Sequence, residues 1–251
     1  MNKILDNAKS NPLKLRKIAA FALLLVLAYA PASQAARSLS VGATINGSNW
    51  KGDNGSGNSD FESDRGGQLA ASINYRVDKF YTGLNLQGGT YDFGSDAPTQ
   101  FTSKGTLASS DVKVEHSDFD LLVGYYFWSN ISLFLDLKVT HSKWRDTDYE
   151  QAFSGLGFGV SGFHPIDDKW VLFGSFGFVN GDLDDDDDTS SHGDGSSSAL
   201  VGGAVYRLDK SNTFNFGLKL RGYDFDYDDG NKQEYTLNGL FFGYNHTFDF
   251  N

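Results

Sequence analysis

Cysteine is absent from the 251 residues, methionine occurs once and proline four times. Without cysteine there is no disulfide scaffold, no thiolate metal site and no thiol nucleophile. Basic residues are also sparse, 21 Lys and Arg against 32 Asp and Glu, for a formal net charge of -11. Nucleic acid is therefore a poor candidate as the main partner, since phosphate binding needs a basic patch that releases counterions. What abounds is glycine, at 29 residues, and aromatics, with 21 Phe, 12 Tyr and 4 Trp. Disorder lacks aromatics and collagen needs a three-residue glycine period, so neither fits. A chain of this length holds one large all-β domain or two smaller ones.

The net charge conceals a split. Residues 1–35 carry Lys3, Lys9, Lys14, Arg16 and Lys17 against Asp6, and the rest carries -15. After the basic stretch an apolar run of 13 residues spans Ile18 to Ala30, followed by Pro31 and the small residues Ser33 and Ala35. Basic, apolar, then small-x-small is the layout of a secretory signal peptide cut after Ala35. Thirteen residues is short against the roughly 20 that cross a bilayer as a helix. No later stretch approaches a spanning helix, which leaves 36–251 as one exported domain, soluble or a membrane barrel.

Period two runs through nearly all of that domain and puts alternate side chains on opposite faces of strands. Phe119, Leu121, Val123, Tyr125 and Phe127 alternate with Asp118, Asp120, Leu122, Gly124 and Tyr126; Ile131, Leu133, Leu135, Leu137 and Val139 alternate with Ser132, Phe134, Asp136, Lys138 and Thr140. Ten such segments are expected, near 38–49, 67–77, 80–92, 114–127, 131–143, 154–166, 170–181, 198–208, 212–223 and 235–250. Short connections at 78–79, 128–130, 167–169 and 209–211 alternate with long ones. An up-and-down meander then puts every short turn at one end and every long loop at the other, the pattern of a ten-stranded antiparallel transmembrane β-barrel with short periplasmic turns and long extracellular loops. The more apolar parity is Leu, Phe, Val and Ile, where a soluble barrel would carry Lys, Glu and Asp outside. Aromatics gather by the short turns (Phe80, Phe127, Trp170, Tyr206, Phe214) and by the long loops (Trp50, Tyr91, Trp144, Phe178). Two such groups are expected to be interfacial girdles.

The final strand adds Leu240, Phe242, Tyr244, His246, Phe248 and Phe250 on one parity. With these features the mature chain resembles the bacterial outer-membrane β-barrel superfamily. The resemblance implies a monomer in the outer membrane of a Gram-negative bacterium, contacting lipid and lipopolysaccharide. It also implies that the aromatic C-terminal strand is read by the barrel assembly machinery.

Pairing arithmetic locates the interior. If Phe127 pairs with Ile131, then Asp120 faces Lys138, Leu122 faces Asp136 and His116 faces Ser142, all inward. Extending this to the other hairpins gives the expected lumen charges Arg76, Asp118, Asp120, Asp136, Lys138, Arg207, Lys219 and Arg221. Either they pair with one another as a structural filling, since buried charges are tolerated only when paired, or they form a charged constriction that selects solutes. Ten strands about 4.8 Å apart and tilted roughly 40° give a backbone radius near 10 Å, and side chains take about 5 Å from each wall. At most a narrow water path is left.

His116, Ser142 and Asp118 share the inward parity and would suit a nucleophile, base and orienting acid. No oxyanion hole can be read beside them, and a lumenal hydrogen-bonded network uses the same residues, so no enzyme activity is expected. His141, His164 and His246 fall on the outward parity. The five long loops, taken as 51–66, 94–112, 144–153, 183–197 and 224–234, together carry -15, which leaves the barrel neutral. Asp184 to Asp188 and the group Asp224, Asp226, Asp228, Asp229 offer hard oxygen ligands for a divalent cation, without the spacing of an EF-hand. The reading is a cell-surface structural or binding protein with acidic outer loops, partnered by a cationic ligand or divalent cation. The alternatives are a small-solute or ion diffusion channel and, third, a rim hydrolase or acyltransferase.

Overall fold

The computed structural model describes residues 37–55, 60–102, 105–107, 111–147, 149–185 and 193–250. The expected signal peptide, Asp186 to Asp188 and His192 lie outside the described residues. Ten long strands make the wall: β1 (Arg37–Asp53), β3 (Arg65–Val77), β4 (Phe80–Phe93), β7 (Val112–Tyr126), β8 (Ile131–Trp144), β9 (Glu150–Pro165), β10 (Trp170–Asp185), β11 (Gly193–Arg207), β12 (Asn212–Tyr227) and β13 (Lys232–Phe250). Short β2 (Asp60–Glu62) extends the sheet beside β1, and β5 (Gln100–Thr102) pairs with β6 (Gly105–Leu107). Each long strand pairs antiparallel with its neighbours, and β1 pairs with β13 from Arg37↔Phe250 to Asp53↔Glu234, which closes the barrel. Among the described residues there is no helix.

The registers follow from the turns. Tyr126 pairs with Ser132, which sets Asp120↔Lys138, Leu122↔Asp136 and His116↔Ser142. At two four-residue turns, 166–169 and 208–211, an aspartate folds the chain by accepting backbone amides ahead of it. Asp167 accepts from Lys169 and Trp170, both at 2.7 Å, and Asp209 from Ser211 and Asn212 at 2.8 and 2.9 Å. Such Asx turns pre-shape the reversal at little entropic cost.

The outer wall carries a belt of exposed apolar side chains, among them Ile45, Leu69, Leu86, Leu135, Phe158, Leu200, Leu218 and Leu240, at 48% to 68% exposure. Such a surface is stable against hydrocarbon and not against water. Trp170, Tyr206, Phe214 and Tyr244 cluster by the short turns, with ring centroids 4.9 Å apart for Trp170 and Tyr206. The second expected girdle is corrected at three of its four members, Phe178 keeping the outward parity opposite exposed Phe158. Trp50, Tyr91 and Trp144 are buried inside the barrel at 1% exposure or less. All three stand on the inward parity, so their rings fill the bore and never reach lipid.

The strands also run further than expected at the long-loop end, with β9 starting at Glu150, β10 reaching Asp185, β11 starting at Gly193, β12 reaching Tyr227 and β13 starting at Lys232. Strands of 13 to 19 residues exceed the 9 to 11 or so that cross a bilayer. The excess forms a wall that protrudes at one end, held by its own hydrophobic core of Trp50, Tyr91, Trp144, Phe153, Tyr223, Phe225 and Tyr235 among others. What reads as long polar loops is largely this wall.

Candidate functional site

From the short turns upward the interior has three layers. In the lowest, Phe134 lies against Gly159, where an added Cβ would sit 2.2 Å from the ring, and Tyr81 lies against Gly124 in the same way. Glycine at these two inward positions makes room for rings that cross the bore. Phe173 and Phe241 face each other there at 6.3 Å. Arg76 and Arg207, inward by parity, lie beside the short turns and are exposed. Arg76 sits 4.6 Å over the Tyr126 ring and donates to Asp78 O, while Arg207 donates to Asp168 O. These two therefore stay apart from the lumen charge network in which they were expected.

The middle layer is ionic and buried. Asp118, Asp120, Asp136, Lys138 and Arg221 are each 8% exposed or less. Arg221 bridges Asp118 through Nη1 and approaches Asp120 at 3.8 Å through Nη2, which also donates to Gln87 at 3.0 Å. Lys138 pairs with Asp120, whose other oxygen accepts from Asn85 at 3.2 Å. Lys219 donates to Gln87 Oε1 at 2.7 Å, and Tyr223 donates to Asp118 at 3.0 Å. Three carboxylates and three cations, with Lys219 the third, balance to zero. A balanced set is what a low-dielectric interior requires, because a lone buried charge costs several kcal/mol or about that. The Arg221–Asp118 contact joins β12 to β7, which stand on opposite sides of the ring. Hairpin arithmetic relates only adjacent strands, so this partnership is not readable from the sequence.

Above the ions, the structure brings the third sequence candidate together. His116 Nδ1 shares a 2.9 Å hydrogen bond with Ser142 Oγ, and Nε2 lies 3.3 Å from Asp118 Oδ2. The serine, histidine and acid have the order of a hydrolytic triad, but the His116 and Asp118 side chains are fully buried and Ser142 is 1% exposed. Trp50 covers the imidazole edge-on at 5.2 Å and Tyr223 at 6.1 Å. Sealed from solvent on every side chain, the arrangement is continuous with the interior ion network through Asp118.

The mouth is closed by chain that sequence reading assigned to a loop. Ala97 to Phe101 are buried, with Gln100 at 0% exposure. Thr99 N donates to Asn54 Oδ1, Gln233 Nε2 donates to Asn54 and to Thr99 O, and Trp144 Nε1 donates to Pro98 O. Phe101 packs on Tyr227 at 4.7 Å. The residues carry no period-two signal and are held inward by single contacts, from Asn54 just past β1, Gln233 on β13, Trp144 on β8 and Tyr227 on β12.

Outside, charge is uneven around the protruding wall. On β4, β7, β8 and β9 the carboxylates are compensated: Asp92 by Lys113 at 3.0 Å, Glu115 by Arg145, and Glu150 by Lys143 and His141. On the other side Asp60, Asp53, Glu234 and Asp224 stand in one row across β2, β1, β13 and β12. All four are exposed and line an open groove of about 720 Å³ together with Glu62 and Asp96. Among the described residues no group of three or more acidic or histidine side chains is placed to hold a metal ion.

No protein-family model and no curated protein matches the chain. Among solved structures, the outer membrane protease OmpT from Escherichia coli is similar, at a TM-score of 0.56 and 12% identity, covering 86% of this chain and 98% of that one. The toluene transporter TodX of Pseudomonas putida matches at 0.35 and 9%, over 88% and 91% of the two chains. Ail, the attachment invasion locus protein of Yersinia pestis, matches at 0.31 and 11%, over 86% and 100%. The fold is thereby defined: a closed, antiparallel, ten-stranded β-barrel of the kind found in OmpT. These likenesses extend to fold and leave activity to the residues.

Proposed function

We propose that this chain is exported to the outer membrane of a Gram-negative bacterium, where it is a non-conducting surface barrel whose protruding acidic wall binds a cationic ligand or a basic surface. One observation carries the reading: the bore is filled at every level, by rings, by a balanced ion network that reaches from wall to wall, and by the tucked segment Ala97 to Phe101. A diffusion channel of this size would need an open path through all three layers. With transport set aside, the feature left for contact is the wall beyond the lipid, where the row from Asp60 to Asp224 is exposed and its carboxylates outnumber the nearby cations Lys51 and Lys232. Loops and strand ends held on a rigid scaffold are suitable contact surfaces. The exposed aromatic row of β13, Phe242, Tyr244, Phe248 and Phe250, is the feature by which assembly machinery would take the strand.

Planar bilayers test the conduction half. The purified barrel is expected to give no discrete current steps at high protein load. Steps that change size in Lys219→Ala would overturn the reading in favour of a pore.

A further inference from the structure

One wall of the barrel changes from apolar to charged within a single step of the ladder. On the outward face of β7 and β8, Phe119 stands opposite Val139 and Leu121 opposite Leu137. The next outward row up is Ser117 opposite His141, and above it Glu115 opposite Lys143. His141 Nε2 lies 3.1 Å from Glu150 Oε2, and Lys143 Nζ lies 2.5 Å from Glu150 Oε1. Lys143, then burial and His141, set the balance that holds the Glu150 carboxyl below its ordinary range, so it stays ionised beside the ring. Unlike the sealed trio inside, these residues are reachable: Ser117 is exposed and the His141 side chain is 41% exposed.

Directly opposite residues on antiparallel strands have Cβ atoms about 4.5–5.5 Å apart, within reach of one rotamer change for a serine and a histidine. Glu150 engages Nε2, which leaves Nδ1 as the imidazole nitrogen for Ser117. The flanks are small. Gly88 neighbours Ser117 on β4 and Ala152 neighbours His141 on β9. A Cβ placed on Gly88 would meet nothing nearer than 3.8 Å, so there is open space beside the serine. Just above, Lys113, Lys143 and Arg145 crowd the same wall.

We propose that Ser117, His141 and Glu150 form a hydrolytic site on the outer wall, acting on the acyl ester of a phosphorylated outer-leaflet lipid. The site's height selects that substrate. Ester carbonyls of a lipid lie where hydrocarbon gives way to headgroup, and Ser117 and His141 occupy that row. The acyl chain would run down over Phe119 and Val139 toward exposed Leu135, and the phosphate would compete with Asp92, Glu150 and Glu115 for Lys113, Lys143 and Arg145 above. In the first step Ser117 Oγ attacks the carbonyl carbon while His141 takes the hydroxyl proton. The imidazolium, steadied by Glu150, returns that proton to the departing alcohol oxygen as the ester bond breaks, leaving an acyl-serine. Water then attacks the acyl carbon, gives one proton through His141 to Ser117 Oγ, and frees the fatty acid. A serine activated by an adjacent base with an orienting acid is the general requirement of acyl transfer.

The test uses the full mature barrel in two separate preparations, vesicles of dioleoylphosphatidylglycerol and purified lipopolysaccharide, with released fatty acid measured by mass spectrometry. Release from one of them is expected, and which one tells a glycerophospholipid from a lipid A substrate. Ser117→Ala and His141→Ala are each expected to cut release by about 10²–10⁴-fold and Glu150→Gln by less, with the barrel's heat-modifiable migration unchanged. A fluorophosphonate is expected to label the peptide holding Ser117 and to lose that label in Ser117→Ala. No fatty acid from either lipid, undiminished release by Ser117→Ala, or labelling at another serine would each overturn the proposal.

Discussion

Arg221 on β12 meets Asp118 on β7 across the full width of the barrel, and the same guanidinium approaches Asp120 at 3.8 Å. The pair ties opposite walls together inside the buried middle of the bore. Arg221→Ala strands Asp118 and Asp120 with one cation fewer, which is expected to cost about 3–5 kcal/mol. Urea unfolding of the barrel in vesicles measures it. Asp118→Asn combined with Arg221→Gln removes both charges and should recover a large part of the loss, whereas equal loss in single and double variants would mean that the pair is not coupled.

Three closures lie in series along the bore, the tucked segment at the mouth, the ion network below it and the crossing rings of Phe134 and Tyr81 lowest. Deleting 96–110 is therefore expected to leave the barrel electrically silent, because Arg221 and Lys138 still cross the lumen. Current steps are expected only when that deletion is combined with Arg221→Ala, Lys138→Ala and Phe134→Ala, which opens the ring layer as well. Conduction from the deletion alone would show that the mouth segment is the whole barrier.

How much of this could be read beforehand depends on the kind of relation. Pairings across a short turn follow from period two and turn length, and Asp120↔Lys138, Leu122↔Asp136 and His116↔Ser142 stand where that arithmetic puts them. Arg221–Asp118 is out of its reach, since barrel curvature rather than chain neighbourhood brings those strands face to face. Trp50, Tyr91 and Trp144 were placed in a girdle by their nearness to the long loops, although their parity already pointed inward. Arg76 and Arg207 share the inward parity of the network, but parity carries no height, and they sit at the open lower end. The tuck of Ala97 to Phe101 depends on single contacts, from Asn54, Gln233, Trp144 and Tyr227, which leave no periodic trace.

The same substitution should behave differently on the two faces. Phe225 is 0% exposed in the protruding core, and Phe158 is 67% exposed on the lipid belt. Phe225→Ala loses transfer energy and leaves a cavity among packed rings, for an expected cost of about 3–5 kcal/mol. Phe158→Ala loses only the transfer part, about 1.5–3 kcal/mol, because lipid fills the space. Urea midpoints in vesicles compare the two; a larger loss for Phe158→Ala would mean that the protruding core contributes little to stability.

At the short-turn end, Asn212 and the amide of Ser211 hold the Asp209 carboxyl below its ordinary range. Its folded value is depressed, so the turn's contribution is present above the ordinary carboxylate value and is lost as pH falls through the lowered one. Asp209→Ala should therefore reduce stability at neutral pH and flatten the acid limb of stability against pH. A parallel shift of the whole curve would assign that limb to other carboxylates.

The acidic row makes the binding half of the proposed function measurable. Asp53, Asp60, Asp224 and Glu234 stand on adjacent strands and outnumber the cations near them, Lys51 and Lys232, whereas Glu115 on the opposite wall is paired one to one with Arg145. A decalysine peptide is expected to bind the wild-type barrel at low salt and to dissociate as the Debye length contracts from about 10 Å at 0.1 M toward 3 Å at 1 M. Asp53→Asn, Asp224→Asn and Glu234→Gln together should weaken binding about tenfold or more, equivalent to about 1.4 kcal/mol. Glu115→Gln should change it little, because its carboxylate is already paired. Equal weakening by both changes would mean that overall charge, and not this row, attracts the peptide.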